Sequence, residues 1–240
     1  MGLLARLRLA RLYLCIDARE QQGDLEAFLS AAFAGGVDIV QIRQKGMTPK
    51  QELAALEVAR SAATPYQGIV CVNDSTELAG RFQADMLHLG QGDGPAVAAR
   101  RQLHRWALIG RSTHSDLQAD QALADPDLDY LSVGPVFATP AKPAFKPVGL
   151  SLVRYAARRA PVATIESKPW FAVGGISAEN IDEIVAAGAR RVCVGRAITE
   201  TMDPEQAAGE LRDRLHAAWR ADPALERYTF QAAASTGPNR

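Results

Sequence analysis

No stretch of this 240-residue chain approaches the roughly 18 apolar residues that a membrane span requires. Cysteine is sparse too. Cys15, Cys71 and Cys193 are odd in number, lie in separate apolar runs and lack metal-ligand spacing, which argues against a disulfide scaffold or a zinc knot. They read as buried, reduced thiols of a cytoplasmic protein. An excess of either charge is also missing, with 27 basic residues against 27 acidic. No global field draws the chain to nucleic acid or to an anionic membrane surface, so any anion site must be local. The opening residues lack the continuous apolar core of a signal segment, because Arg6, Arg8 and Arg11 interrupt them. Residues 1–11 are expected to be a short lead-in to a first strand. No GxGxxG fingerprint follows that strand, and IGRSTHS has no acidic partner nearby that would suggest a Ser-His triad.

What the chain does have is alternation. Short runs rich in Val, Ile and Leu recur at Leu12 to Ile16, Ile39 to Arg43, Gly68 to Val72, Met86 to Leu89, Ala107 to Arg111, Tyr130 to Gly134, Trp170 to Val173 and Arg191 to Gly195. Segments of helical period lie between them: Leu25 to Ala34, Pro49 to Ala63, Thr76 to Phe82, Pro95 to Leu103, Asp116 to Ala124, Leu152 to Arg159, Ala178 to Ala187 and Pro204 to Arg220. Thr48 before Pro49 and Ser177 before Ala178 are start signals, and Gly188 is a stop. Eight strands alternating with eight helices predict a single-domain (β/α)8 TIM barrel over residues 12–221, with an open doubly wound sheet as the alternative. Residues 222–240 lack periodicity and are expected to be a disordered tail.

A barrel of this kind carries its chemistry at the C-terminal ends of the strands. At the second tip, IVQIRQKG puts Gln41, Arg43 and Lys45 on one face, an amide and two cations suited to a phosphate or pyrophosphate. Asp74 of VNDS and Asp93 of HLGQGD fall just past the third and fourth tips. Each could cap the helix that follows, but two carboxylates on adjacent loops beside cations fit Mg²⁺, which takes its other ligands from water and phosphate. Asn73 offers a neutral donor and acceptor, and Ser112 a hydroxyl at the fifth tip. His88 points inward but reads as a hydrogen-bonded core residue. FAVGGIS and VCVGRAI bring backbone N–H groups at Gly174, Gly175, Gly195 and Arg196 to the habitual phosphate site of these barrels. After the sixth strand runs a long loop stiffened by Pro140, Pro143 and Pro147, holding Thr139, Lys142 and Lys146. Such a loop is built to hold an anion, with Lys146 expected in solvent.

In order along the chain, QIRQKG, VNDS, HLGQGD, GRSTHS, SVGPVFATPAK, FAVGGI and VGRAI closely resemble the thiamine-phosphate synthase family, from about Leu12 to Ile198. The resemblance implies a transferase that joins a pyrimidine diphosphate to a thiazole phosphate and releases pyrophosphate with Mg²⁺. It implies that Gln41, Ile42, Arg43, Gln44, Lys45, Asn73, Ser112 and Lys142 hold the pyrimidine diphosphate, with Arg43, Lys45, Ser112 and Lys142 catalytic. Asp74 and Asp93 would hold the metal; Thr139, Pro140, Ala141, Gly175, Gly195 and Arg196 would hold the thiazole phosphate. The loop bearing Thr139 and Lys142 would then be the moving part, ordered with ligand. Ala141 stands where the family often has a second hydroxyl. The partners expected are phosphorylated small molecules, not nucleic acid or membrane; no motif sets the oligomeric state, a homodimer being the expected alternative to a monomer. One rival is the related thiazole tautomerase, whose subfamily has a histidine where this chain has Pro135 and tends to lack the two carboxylate motifs. A non-catalytic barrel that binds thiamine intermediates is the other, and it would be marked by loss of the carboxylates or the loop lysine.

Overall fold

The computed structural model describes residues 1–140 and 146–235. In chain order its elements are α1 (Leu3–Leu9), β1 (Leu12–Ile16), α2 (Leu25–Gly35), β2 (Ile39–Ile42), α3 (Pro49–Ala63), β3 (Ile69–Asn73), α4 (Thr76–Phe82), β4 (Met86–Leu89), α5 (Ala96–Arg100), β5 (Leu108–Thr113), α6 (Asp116–Ala124), β6 (Tyr130–Val133), α7 (Gly149–Arg159), β7 (Trp170–Val173), α8 (Ile181–Ala186), β8 (Val192–Val194), α9 (Arg196–Thr199), α10 (Pro204–Arg220) and α11 (Pro223–Ala233). The eight strands are parallel and close in sequence order, β1 pairing with β8 through Leu12↔Val192, Tyr13↔Cys193 and Leu14↔Val194. The fold is therefore the (β/α)8 barrel rather than the open sheet.

Period-two alternation divides each strand between two apolar layers. Tyr13, Ile39, Cys71, Met86, Leu108, Tyr130, Phe171 and Cys193 fill the inside, while their neighbours, such as Leu14, Val40, Ile42, Val72 and Leu87, pack outward beneath the helices. Burial on both faces is why the strands read as unbroken apolar runs. Gly110 has its place because of this filling: a Cβ there would fall on the Tyr130 ring.

The structure departs from the sequence reading mainly at the ends. Residues 1–11 are not a simple lead-in: α1 inserts Leu4 and Leu7 into the inner cluster and stops the barrel from below. Nor is the chain beyond 222 disordered throughout. Pro223–Ala233 forms α11, capped by Asp222, and Leu225, Tyr228 and Ala232 pack on Trp219 and Leu9. Its apolar face is short and lies beyond the last barrel helix, which hid its period. Residues 236–240 lie outside the described residues. Within the barrel, Thr48 and Gln51 make a full capping box at α3. The helix expected from Ala178 begins later, because Asn180 accepts the Ser177 amide and holds the preceding residues in a turn.

Candidate active site

Two adjoining cavities open at the C-terminal ends of the strands. The smaller, about 290 Å³, is lined among others by Gln41, Asn73, Asp74, His88, Asp93 and Ser112. The larger, about 660 Å³, is lined by Thr139, Gly175, Gly195 and Arg196 together with Asp17 and Glu179. Arg43 lines both, as do Cys15, Val173 and Cys193. Gln41, Asn73 and Ser112 of one expected group line the smaller space, Thr139, Gly175, Gly195 and Arg196 of the other line the larger, and the Arg43 guanidinium stands at the junction.

Several expected residues do not face either space. Ile42 is fully buried and packs outward with the helices, so its side chain is unavailable to a ligand. Lys45 is exposed and lines neither cavity, because the loop turns away after Arg43 through Gly46. Gln44 is held sideways, accepting the Ala18 amide at 2.9 Å and donating to Glu20 at 2.9 Å, which ties the second loop to the first. Pro140 is exposed and lines neither cavity. Ala141 and Lys142 lie outside the described residues, while Lys146 is exposed. The cysteines are less uniform than expected: Cys71 and Cys193 are buried, but Cys15 is partly exposed at the cavity junction.

The floor of the smaller cavity is a buried polar network. His88 sits between the Tyr130 hydroxyl at 2.8 Å and Ser112 Oγ at 2.9 Å, with Ser132 Oγ at 3.4 Å. Ser112 is the penultimate residue of β5, at the C-terminal end where the sequence put it; it lines the smaller cavity and its hydroxyl bonds His88. Tyr13 donates to Gln41 at 2.8 Å, Gln41 to Asn73 at 2.5 Å, and Asn73 to Asp74 at 2.7 Å. Sequence reasoning set His88 aside as a core histidine. The signal that could have placed it was the run of polar residues at inward positions of neighbouring strands, Gln41, Asn73, Ser112 and Ser132, which a closed apolar core would not tolerate. Gln91 and His114 also line this cavity. His114 joins the Gly134 carbonyl, while Ser115 caps α6 by accepting the Gln118 amide.

Neither acid at the rim caps a helix. Ser75 caps α4 and Pro95 precedes α5, leaving Asp74 and Asp93 to other work. Asp74 has a φ of 59°, in the left-handed region that aspartate tolerates better than most residues. Partial desolvation, then the charge of Asp93 and a hydrogen bond shared with it, push the Asp74 carboxyl above the usual range; Asn73 and Arg43 oppose this. Two carboxylates crowded together are unfavourable in the protein alone, and a hard divalent cation relieves that repulsion. Among the described residues no group of three or more His, Cys, Asp or Glu side chains is arranged for a metal. Two carboxylates fit Mg²⁺, which would draw its other ligands from water and a diphosphate.

The larger cavity is shaped by backbone. The loop after β6 continues alongside β7, Val136 N donating to Val173 O at 2.8 Å and Phe137 N to Gly174 O at 3.0 Å. Gly175 permits this approach: its φ is 65°, and a Cβ would lie 2.7 Å from Phe137 Cβ and 2.8 Å from Ala138 O. Across the cavity Gly195 precedes α9, whose first amides have no partner within the helix.

A closed parallel barrel with an acid pair on one side of its mouth and a cavity shaped by glycine backbone on the other has the architecture of a (β/α)8 enzyme, whose sites lie at this end of the strands. The family model described as thiamine monophosphate synthase matches residues 12–198. Thiamine-phosphate synthase of Saccharopolyspora erythraea is 48% identical over 219 residues, covering 89% of this chain and 96% of that protein. The one from Streptomyces avermitilis is 50% identical over 210 residues, covering 88% and 95%. The solved thiamine phosphate pyrophosphorylase from Pyrococcus furiosus has a TM-score of 0.74 at 26% identity, covering 89% of this chain and 98% of that one. The chain belongs to the thiamine-phosphate synthase family, and with it to the transferases of thiamine biosynthesis.

Proposed function

We propose that this enzyme condenses 4-amino-2-methyl-5-pyrimidinylmethyl diphosphate with 4-methyl-5-(2-phosphoethyl)thiazole, carboxylated or not, to give thiamine phosphate and pyrophosphate, with CO₂ also lost where the thiazole is carboxylated. The observation that carries the reading is Arg43, standing where a cavity rimmed by two carboxylates meets a cavity rimmed by backbone amides. The smaller space takes the pyrimidine, whose ring nitrogens and amino group meet the Gln41 amide and the His88 network. Its diphosphate extends toward Asp74 and Asp93. The thiazole phosphate lies in the larger space against Thr139 and the amides near Gly175 and Gly195. Lys142, which lies outside the described residues, is assigned to the leaving group by family resemblance alone. A cytoplasmic location accords with this biosynthetic role, and no described helix is long and apolar enough to cross a membrane.

The reaction is a dissociative substitution. The methylene C–O bond breaks, both electrons leave with the pyrophosphate, and the aminopyrimidine ring stabilises the cation. The thiazole nitrogen then donates its pair to form the C–N bond, so no enzyme nucleophile is required. Mg²⁺, when held by Asp74 and Asp93, supplies charge neutralisation of the leaving group. Arg43 adds a fixed positive charge that needs no reorganisation as negative charge develops. Removing such a donor typically slows turnover by about 10²–10³. Arg43→Ala is therefore expected to fold normally and lose that much pyrophosphate release, assayed with both substrates and Mg²⁺. Release that needs all three components supports the reading; near-normal turnover in the variant, or thiazole isomerisation without pyrophosphate release, overturns it.

A further inference from the structure

The hydrogen bonds from Tyr13 to Asp74 form a chain with a direction. Tyr13, 2% exposed, gives its O–H to Gln41 Oε1 at 2.8 Å. Gln41, 5% exposed, gives Nε2–H to Asn73 Oδ1 at 2.5 Å, and Asn73 gives Nδ2–H to Asp74 Oδ2 at 2.7 Å. Two of the links are primary amides, which have nearly the same shape when flipped, so something must fix which end faces which way. An ionised carboxylate only accepts. Asn73 must therefore turn its NH₂ to Asp74 and its oxygen to Gln41. Gln41 in turn must offer NH₂ to Asn73 and leave Oε1 facing inward. That buried oxygen needs a donor, and the Tyr13 hydroxyl supplies it.

We infer that Tyr13 is a positioning residue for the reaction. Acting through Gln41 and Asn73, it aims the Asp74 carboxylate at the cation site and fixes the polarity of the amide that faces the smaller cavity. Its hydroxyl is three hydrogen bonds away from Asp74. Without the phenol O–H, Gln41 Oε1 is a buried acceptor that has lost its donor, and nothing on the inner side any longer fixes which way the amide faces. Turning it over presents oxygen to oxygen at Asn73. Asn73 must then rotate too, and its hold on Asp74 is lost. The Tyr130 hydroxyl, bonded to Tyr13 as well as to His88, ties this chain to the His88 network, which ends on Ser112 and Ser132 rather than on a carboxylate.

This inference rests on Asp74 being a Mg²⁺ carboxylate. Mg²⁺ is titrated into the full chain with inorganic pyrophosphate present, and binding is followed by calorimetry and by thermal shift. Tyr13→Phe is expected to weaken Mg²⁺ affinity about 2- to 10-fold, the equivalent of one hydrogen bond, with little change in melting temperature when Mg²⁺ is absent. Asn73→Ala weakens it as well. Because the two act in series, adding Tyr13→Phe to Asn73→Ala should cost nothing more. Tyr228→Phe removes a hydroxyl at the N-terminal end of the barrel, where it accepts from Arg191, and should leave Mg²⁺ affinity unchanged. Wild-type affinity in Tyr13→Phe, or additive losses in the double variant, overturns the positioning role alone. A wild-type protein indifferent to Mg²⁺ overturns the metal reading and the positioning role together.

Discussion

At the N-terminal end of the barrel Asp38 accepts the Arg11 and Leu12 amides at 2.7 and 2.9 Å and lies beside the Arg11 and Arg191 charges, whereas at the mouth Asp74 lies against another carboxylate. Arg191, 1% exposed, donates to the Arg8 carbonyl at 2.7 Å and the Tyr228 hydroxyl at 3.1 Å, under the Trp219 and Tyr228 rings. Arg43, at the mouth, borders two open cavities. The same side-chain types thus do opposite jobs at the two ends. Below, the charges meet backbone, hydroxyl and ring partners of the protein that help fasten α1 and α11 to the barrel; above, two carboxylates stand together beside open cavities. Position along the strand, more than residue type, separates a stability residue from a binding residue.

The largest expected effect breaks the lower end. Asp38→Ala leaves two backbone amides without their acceptor, at about 2–4 kcal/mol of unfolding free energy. Urea unfolding measures it, and turnover per folded molecule should stay near wild type. Lost turnover in fully folded Asp38→Ala would mean that the two ends are coupled. Asp74→Asn is the mirror experiment at the mouth. Asparagine also tolerates the φ of 59°, so the backbone is not strained. Removing one of two crowded carboxylates should leave the metal-free protein as stable or slightly more so, by up to about 1 kcal/mol. Its Mg²⁺-dependent thermal shift should vanish and turnover fall by about 10² or more. A variant that keeps its Mg²⁺ response would move the cation site away from Asp74.

This separation also explains what was legible in the sequence. Strand and helix positions could be read closely because both strand faces are apolar and the helices begin at chemical signals such as Thr48-Pro49. The tip residues Asp74, Asp93, Gly175 and Gly195 were legible because barrel topology assigns strand ends to the site before any contact is known. What escaped depended on distance across the barrel. His88 looks like a lone core histidine until the barrel closes Tyr130, Ser112 and Ser132 around it. Gln44 and Lys45 belong to a matching motif, yet only the turn at Gly46 and the Glu20 contact show that their side chains leave the cavities. The terminal helices were missed because each buries only a short stripe, and only against the other or the barrel base.

The smallest effect is one of sign. His216 on α10 has its imidazole pKa lowered to about 4 by desolvation first and then by Arg11, Arg212 and Arg220, against Asp213. The folded state favours the neutral ring, so this contribution to stability is complete above the unfolded value near 6.5 and is lost as pH falls toward about 4. Solvent screening of a partly exposed group limits it to the order of 1 kcal/mol. Asp74 has the opposite sign. Its raised pKa favours the protonated carboxyl, so its contribution is present below the ordinary aspartate range and is lost as pH rises through the raised value. Denaturant unfolding of the metal-free protein between pH 4 and 7 resolves the two. His216→Gln should flatten the loss of stability on the acid side, and Asp74→Asn should flatten the loss toward neutral pH. If His216→Gln leaves the acid slope as steep as in wild type, the titrating group at the lower end is another residue; if Asp74→Asn leaves the neutral slope unchanged, the carboxylates at the mouth are not under the mutual repulsion that makes them a cation site.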